Sequence, residues 1–400
     1  MSAEVVVGLI RAVVAFGALL VVTLLVVWGE RKIIGDMQAR LGPNRWGPFG
    51  IFQTVADGIK LFFKEDFRPR TADRWTYAAA PILASVPAFL AFAVVPFGDQ
   101  VTIAGERIDF IVSDLNIGIL YFLAMGSIGV YGIVLAGWSS GSKYPLIGGI
   151  RSSAQLISYE IALGLSLVPI ALVSNSLSTV DIVAAQAGSV ENVTFFDGIP
   201  VLESISQIFE FVPNWYIWSQ WPAFAIFLVA GIAESNRAPF DLPEAETELV
   251  AGFHTEYSGI KFALFFLGEY IHMIVIGAMA ATLFFGGWNG PGFDFLPWLW
   301  PVVWFVIKTT AFVYLFVWLR ATMPRLRYDR LMWLGWKRLI PAALVWIMVT
   351  AVVNTDNVPR NVRLATFGVL FLIVLFFVAR GDPRLKEAAT PQRRIRSGSA

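Results

Sequence analysis

The chain has 400 residues and a net charge of +1; 57% of its residues are hydrophobic and only 15% are charged. Ordinary soluble proteins have roughly 25% charged residues, and the mean hydropathy here is +0.67. These values predict an all-α integral membrane protein and exclude an ordinary soluble enzyme. The small net charge gives no indication of a nucleic-acid partner.

The chain contains no cysteine and only two histidines, His254 and His272. Disulfides, thiolate-bound zinc, a cysteine nucleophile and cysteine-ligated iron–sulfur clusters are therefore excluded. The glycine-rich patterns that bind nucleotides and flavins are also missing from the sequence. We therefore expect the chain to bind no redox cofactor and no metal ion.

Nine apolar segments are predicted to cross the bilayer, which takes about 20 helical residues. The first has no basic leader or cleavage site, so we expect it to be a retained span. The predicted spans are residues 5–28, 77–97, 117–138, 154–173, 215–233, 262–285, 296–319, 339–353 and 364–379. They form a single polytopic membrane domain, 1–379, followed by a basic tail, 380–400.

Positive charge alternates between the loops that join these spans. The segments 30–75, 138–153, 234–261, 320–338 and 380–400 contain 25 lysines and arginines, whereas the four loops on the other side contain three. Short cytoplasmic loops hold the excess of positive charge. The pattern therefore predicts that the N-terminus lies outside and the C-terminus lies in the cytoplasm.

The first cytoplasmic segment, 30–75, begins with a glycine- and proline-rich loop and continues as an amphipathic helix. Apolar residues repeat at helical spacing from Ile51 to Phe62. The helix is too short to span, so one interpretation is an interfacial helix that seats the protein in the membrane. The other is a lateral gate for an apolar, lipid-borne substrate, which the charge pair of Asp57 and Lys60 favours.

Five ionisable residues lie inside predicted spans: Arg11 is near the outer end of the first span, and Glu160, Glu269, His272 and Lys308 lie in later ones. Such residues are costly in a membrane and usually face the interior of the helix bundle. They can exchange protons near neutral pH, or they can form polar pairs that only fix the packing of the helices. We expect Lys308 to pair with Glu269.

Residues 231–259 contain six carboxylates against one arginine, Arg237; the acids are Glu234, Asp241, Glu244, Glu246, Glu248 and Glu256. Asp241 and Glu244 fit a capping box, so part of this charge has a structural explanation. Glu244 and Glu248 would share one helix face and repel each other unless one of them is protonated. The segment is therefore a solvated acidic loop or, together with Glu160, a proton relay.

Several motifs also resemble one family: the H-type membrane subunit of bacterial NADH:quinone oxidoreductase, respiratory complex I. The resemblance covers residues 30 to about 353. It rests on Glu30-Arg31-Lys32, GPNRWGPFG, QTVADGIKLFFKE, Ser158-Tyr159-Glu160, ESNRAPFDLPEAETELVAGFHTEYSG and RATMPRLRYDRLMWLGWK. Subunits of this family usually have eight spans, so the segment 364–379 would be an additional ninth.

This resemblance implies a protein of the bacterial inner membrane that helps to form a chamber for quinone, the substrate. FMN and iron–sulfur clusters would belong to partner subunits, and no catalytic residue is expected on this chain. The partners would be iron–sulfur and other peripheral-arm subunits, small and antiporter-like membrane subunits, and membrane lipids.

The resemblance also assigns roles to residues of this chain. The residues that match the family's quinone access region are Arg31, Phe52, Ala56, Asp57 and Lys60. The residues that match the acidic chain thought to link quinone reduction to proton translocation are Glu160, Glu234, Arg237, Asp241, Glu244, Glu246, Glu248 and Glu256.

Three other functions remain open at this stage. A related energy-converting hydrogenase complex could share the acidic segment, although the complete GPNRWGPFG loop favours quinone. An autonomous proton-coupled transporter also suits buried acids and broken helices, but the sequence has no internal repeat of the kind such folds often contain. A purely structural membrane anchor is the third.

Overall fold

A computed structural model of the chain describes residues 3–103, 106–108, 110–188, 213–241, 250–291, 296, 298–354, 368–369 and 372. Its described part is almost entirely helical. The helices are α1 (Ala3–Met37), α2 (Gln53–Phe63), α3 (Arg74–Ala91), α4 (Gly118–Ser139), α5 (Lys143–Ser174), α6 (Thr179–Ala185), α7 (Tyr216–Ser219), α8 (Trp221–Glu234), α9 (Gly259–Phe284), α10 (Leu299–Thr322), α11 (Tyr328–Leu334) and α12 (Ile340–Val353).

Short elements complete the described chain. A two-stranded antiparallel hairpin, β1 (Val101–Ile103) with β2 (Glu106–Ile108), follows α3. Single 3-10 turns occur at Pro48–Gly50, Phe92–Val94 and Gly252–His254, and a π-helical turn, Gly335–Leu339, joins α11 to α12.

Seven helical stretches among the described residues are long and apolar enough to cross a membrane. They are Gly8–Met37, Arg74–Val94, Gly118–Ser139, Lys143–Ser174, Gly259–Phe284, Leu299–Thr322 and Tyr328–Val353. Each contains or overlaps a predicted span, so the polytopic helical membrane fold is confirmed. Three of these stretches extend well beyond the predicted bounds: the first continues to Met37, the fourth begins at Lys143, and the eighth is the end of a longer stretch beginning at Tyr328.

The fifth predicted span, 215–233, is wrong as a single helix. The structure divides it at Gln220 into α7 and the 14-residue α8, which is shorter than the about 20 residues of a typical span. Pro222 explains the break, because a proline ring collides with the carbonyl four residues earlier in a continuous helix. The Gln220 side chain then accepts a hydrogen bond from Trp346 Nε1 at 2.7 Å.

The predicted ninth span lies almost wholly outside the described residues.

Helix α9 forms the centre of the bundle. Its residues from Met273 to Phe284 are buried without interruption. Gly277 and the alanines that follow it allow neighbouring backbones to approach closely, as small residues do in membrane helix packing. A Cβ at Gly277 would lie 3.3 Å from Phe312 of α10. This central position makes α9 the scaffold for the polar residues Glu269 and His272.

Helix α2 confirms the predicted amphipathic helix, although it is shorter than expected at 11 residues. Its apolar side is exposed: Ile59 is 54% exposed and Phe62 is 66% exposed. Only Thr54 of this helix is buried. Such a face is suited to lie in the membrane interface beside the bundle.

The predicted orientation of the chain can be tested with single cysteines, since the natural sequence has none. We expect Gln38→Cys, after α1, to react with a membrane-impermeant maleimide only in inverted vesicles. Gln100→Cys, after α3, should react only in right-side-out vesicles. Both positions are exposed in the structure. The opposite labelling pattern would reverse the predicted orientation.

Candidate functional site

Two carboxylates from different helices, the half-buried Glu160 and the buried Glu234, approach each other beside α4. Glu160 lies in the middle of α5, and Glu234 is the last residue of α8. Helix α8 ends there because Asn236 adopts φ 52, a left-handed conformation typical of helix C-termini. Gly126 makes room for both acids: a Cβ at this position would lie 2.9 Å from Glu234 Oε1 and 4.0 Å from Glu160 Oε1.

Each of these acids has a polar neighbour that carries no permanent charge. Ser127 Oγ donates a short hydrogen bond to Glu160 Oε1. His272 Nε2, on α9, lies 3.3 Å from Glu234 Oε1, and the two side chains are 15% and 7% exposed. The arrangement therefore places one hydroxyl group and one imidazole beside the two acids.

A cavity of about 60 Å³ connects these groups, which is enough space for water molecules. Glu160, Glu234, Glu269 and His272 line it, and its other walls are mostly small or apolar residues of α3, α4 and α9. No lysine or arginine lies among the described residues that line the cavity. We call this space the acid cavity; Glu160, Glu234, Glu269 and His272 are its ionisable lining residues.

A second buried charge cluster lies at the end of α1. Glu30 is 4% exposed, and its Oε1 atom lies 3.5 Å from Arg237 Nη1 and accepts a short hydrogen bond from Arg320 Nη1. These residues come from α1, the segment after α8, and the end of α10. The two guanidinium groups supply the counter-charge that a buried carboxylate requires. We call these three residues the Glu30 cluster.

Arg237 is also packed against aromatic rings of α9. Its guanidinium carbon lies 4.0 Å from the ring centre of Tyr270 and 5.7 Å from that of Phe266, a cation–π arrangement. Burial works to lower the pKa of Arg237, but Tyr270 and the negative charges of Glu30 and Glu269 raise it above its ordinary value. The side chain therefore remains a cation at any physiological pH.

The residues predicted for quinone access form a charged contact between α1 and α2. Arg31 Nη1 donates to Asp57 Oδ2 at 2.5 Å, and Gln53 Nε2 donates to Asp57 Oδ1 at 3.2 Å. Lys60 Nζ lies 3.8 Å from Asp57 Oδ1, which confirms the predicted charge pair. Partial burial works to raise the pKa of Asp57, but the hydrogen bond and charge of Arg31 bring it below its ordinary value of 3.8. Phe52, on the preceding turn, is 53% exposed.

Not all predicted relay residues come together. Glu160 and Glu234 share the acid cavity, and Arg237 joins the Glu30 cluster instead. Glu256 is not among the residues lining the acid cavity; its backbone carbonyl accepts a hydrogen bond from Tyr77 at 2.7 Å. Asp241 is half-buried near the edge of the described segment, and Ala56 is half-buried on α2. Glu244, Glu246 and Glu248 lie outside the described residues, as does the predicted helix start around them.

The expected pairing of Lys308 with Glu269 is wrong. The ammonium group of Lys308 donates three hydrogen bonds to the backbone carbonyls of Phe285, Gly287 and Asn289, at 2.6–2.9 Å. These carbonyls follow the C-terminal end of α9, about 24 Å along the helix axis from Glu269. Cations are stabilised at that end by the helix dipole and by the unpaired carbonyls. Lys308 is therefore a helix cap.

Comparison with known proteins agrees with this geometry. The family model described as NADH dehydrogenase matches residues 10–351. The chain belongs to the NADH dehydrogenase family. It is 51% identical over 347 residues to the NADH-quinone oxidoreductase H subunit 1 of Geobacter metallireducens, covering 87% of this chain and 96% of that protein. It is 48% identical over 382 residues to the NADH-quinone oxidoreductase H subunit of Frankia casuarinae, covering 94% of this chain and 79% of that one.

The chain is therefore similar to the H subunits of NADH-quinone oxidoreductase. It is a multi-pass membrane component of an oxidoreductase complex.

In the sequence, Glu30 and Arg320 were only parts of motifs, and neither was predicted to belong to the site. A signal was available, because a carboxylate and an arginine at the ends of predicted spans need counter-charges if they are buried. Ser127 gave no comparable signal, since a serine in an apolar helix is usually bonded to its own backbone.

Gly126→Ala tests whether the close packing of the acid cavity matters to the complex. The new methyl group would force Glu234 Oε1 to shift, and we expect quinone reductase activity of the assembled complex to fall by about tenfold. Gly164→Ala is the matched control, because it adds the same methyl group to a membrane helix outside the acid cavity, at an ordinary contact distance of 3.6 Å from Leu123. Equal activities of the two variants would contradict the prediction.

Proposed function

We propose that this chain helps to form the quinone-binding chamber of a proton-pumping NADH-quinone oxidoreductase in the bacterial inner membrane. It would couple quinone reduction to proton movement through the acid cavity. The observation that carries this proposal is the approach of Glu160 and Glu234 beside His272 in a buried cavity. The names of the relatives supply the substrate, quinone, and the complex.

The chemistry of quinone reduction makes demands that such a cavity can meet. Adding two electrons to a quinone produces a dianion that needs two protons. Withdrawal of protons, or the appearance of negative charge nearby, changes the protonation of coupled acids. Glu160 and Glu234 can respond because their neighbours are a serine and a histidine. Glu30, in contrast, is held by two arginines.

Helix α1 offers a physical link between the proposed access region and the acid cavity. Glu30 and Arg31 are consecutive residues of this helix and therefore point in directions about 100° apart. Arg31 contacts Asp57 of α2, whereas Glu30 contacts Arg237. Arg237 follows Glu234 by three residues along the chain. If quinone displaced α2, these contacts would transmit the movement to Glu234.

Substrate access fits the surface of α2. Its exposed side carries Ile59 and Phe62, which suit the hydrocarbon of the bilayer, while Asp57 turns toward α1. An apolar quinone arriving from the membrane would meet this helix first. FMN and iron–sulfur clusters would be held by partner subunits, with the peripheral-arm and antiporter-like subunits docking around this chain.

Glu160→Gln tests the proton-coupling part of the proposal. We expect assembled complex with normal NADH oxidation by ferricyanide, which does not require quinone, but with quinone reduction and proton pumping lowered by roughly a hundredfold. Asp181→Asn is the control, because Asp181 is an exposed carboxylate that hydrogen bonds with Ser176 outside the acid cavity. Normal pumping by assembled Glu160→Gln complex would refute a proton-coupling role for this acid.

Asp57→Asn tests the access part separately. Loss of the contact with Arg31 should raise the KM for quinone by up to about fivefold, with little change in kcat. Asp66→Asn is the matched control, since Asp66 forms a similar surface ion pair with Lys261 at 2.7 Å. Because the pKa of Asp57 lies below 3.8, the carboxylate stays ionised at higher pH and loses its charge only in stronger acid. The KM ratio of variant to wild type should therefore be constant above about pH 5. Equal KM values for the two variants would count against the access role.

A further inference from the structure

An apolar cavity of about 270 Å³ lies between α1, α9 and α10, and Phe92 and Phe97, which follow α3, complete its wall. On α1 it is lined from Val14 to Val22. Ala15 lies about 22 Å along the helix axis from Glu30, so the cavity occupies the membrane half opposite to α2 and the Glu30 cluster. It is separate from the acid cavity and plays no part in the proposed function.

The chemistry of the cavity suits a hydrocarbon chain. Apart from Thr309 and Thr310, all of the described residues that line it are apolar. Leu19 and Phe305 form buried walls, at 2% and 4% exposure. The rim, in contrast, is open: Val14 is 63% exposed and Val306 is 52% exposed. Because both rim residues belong to membrane-spanning helices, the cavity opens sideways into the hydrocarbon of the bilayer.

A cation is aligned with this cavity along α1. Arg11, Ala15, Ala18 and Val22 follow one another at helical spacings of four, three and four residues, which places them on one face. The last three line the cavity. Arg11 lies one turn inside the span that begins at Gly8, and long basic side chains near helix ends extend toward the headgroup region. A positive group therefore lies beyond the cavity on its membrane-surface side.

We propose that this cavity binds one acyl chain of a phospholipid whose phosphate group is bound by Arg11. The combination of a laterally open apolar cavity and an arginine at headgroup depth matches the two ends of a phospholipid. The bound chain would fill the space between α1 and α10 in this membrane half. At the opposite end of the same helices, the contact between Glu30 and Arg320 already joins them. The lipid would thus complete the attachment of α1 to the bundle.

The test uses the assembled complex in vesicles that contain phosphatidylglycerol with a diazirine on one acyl chain. After illumination, mass spectrometry of peptides should find the lipid cross-linked to residues within the ranges 14–22 and 302–306. Ala18→Phe fills the cavity and should abolish this labelling. Gly17→Phe is the matched control, because it places the same ring one residue away, where nothing lies within 4 Å of its Cβ. It should leave the labelling unchanged.

Arg11→Gln tests the headgroup separately. Loss of one cation near the membrane surface should weaken labelling by about fivefold, while the labelling of other subunits serves as an internal reference. Three results would overturn the proposal: equal labelling in Ala18→Phe and wild type, absence of labelling in the wild-type complex because a partner subunit covers the cavity, or stronger labelling of the same peptides by a diazirine quinone. None of these results bears on Glu160 or Asp57, so the proposed function is tested independently.

Discussion

The cost of placing charge in a low-dielectric membrane interior governs the arrangement of this chain. An ionised side chain there needs a counter-charge, strong hydrogen bonds or a proton. Glu30 meets this requirement with Arg237 and Arg320, and Lys308 meets it with three backbone carbonyls. Both arrangements hold helices together.

The acid cavity meets the same requirement in a different way. Glu160 is bonded to a serine and Glu234 lies beside a histidine, and no lysine or arginine is found among the described residues that line the space between them. The neighbours of Glu160 and Glu234 carry no permanent charge, whereas Glu30 lies beside two arginines. This contrast separates the acids of the acid cavity from the acid that joins α1 to the rest of the bundle. Gly126 leaves room for the two carboxylates, because a Cβ at this position would lie 2.9 Å from Glu234 Oε1 and force it to shift.

Helix α1 carries three of the charged residues described above, Arg11, Glu30 and Arg31. Near its start lies Arg11, in line with the apolar cavity, and near its end Glu30 and Arg31 contact the segment after α8 and the surface helix α2. Between these points one side of α1 is exposed, and the other side packs against the bundle through a buried stripe of Ala15, Leu19, Thr23 and Val27.

The sequence by itself determined the membrane class, seven of the spans and the amphipathic helix, because hydropathy and helical spacing are local properties that the bilayer enforces. Its motifs also identified the family and the acids Glu160 and Glu234. Only the tertiary structure decided that Glu234 meets His272, that Glu30 is buried between two arginines, and that Lys308 caps α9. The break at Gln220 also became evident only there, although Pro222 had signalled it. Pairings of this kind depend on which helices become neighbours and on their rotation, and the linear pattern of apolar residues does not contain that information.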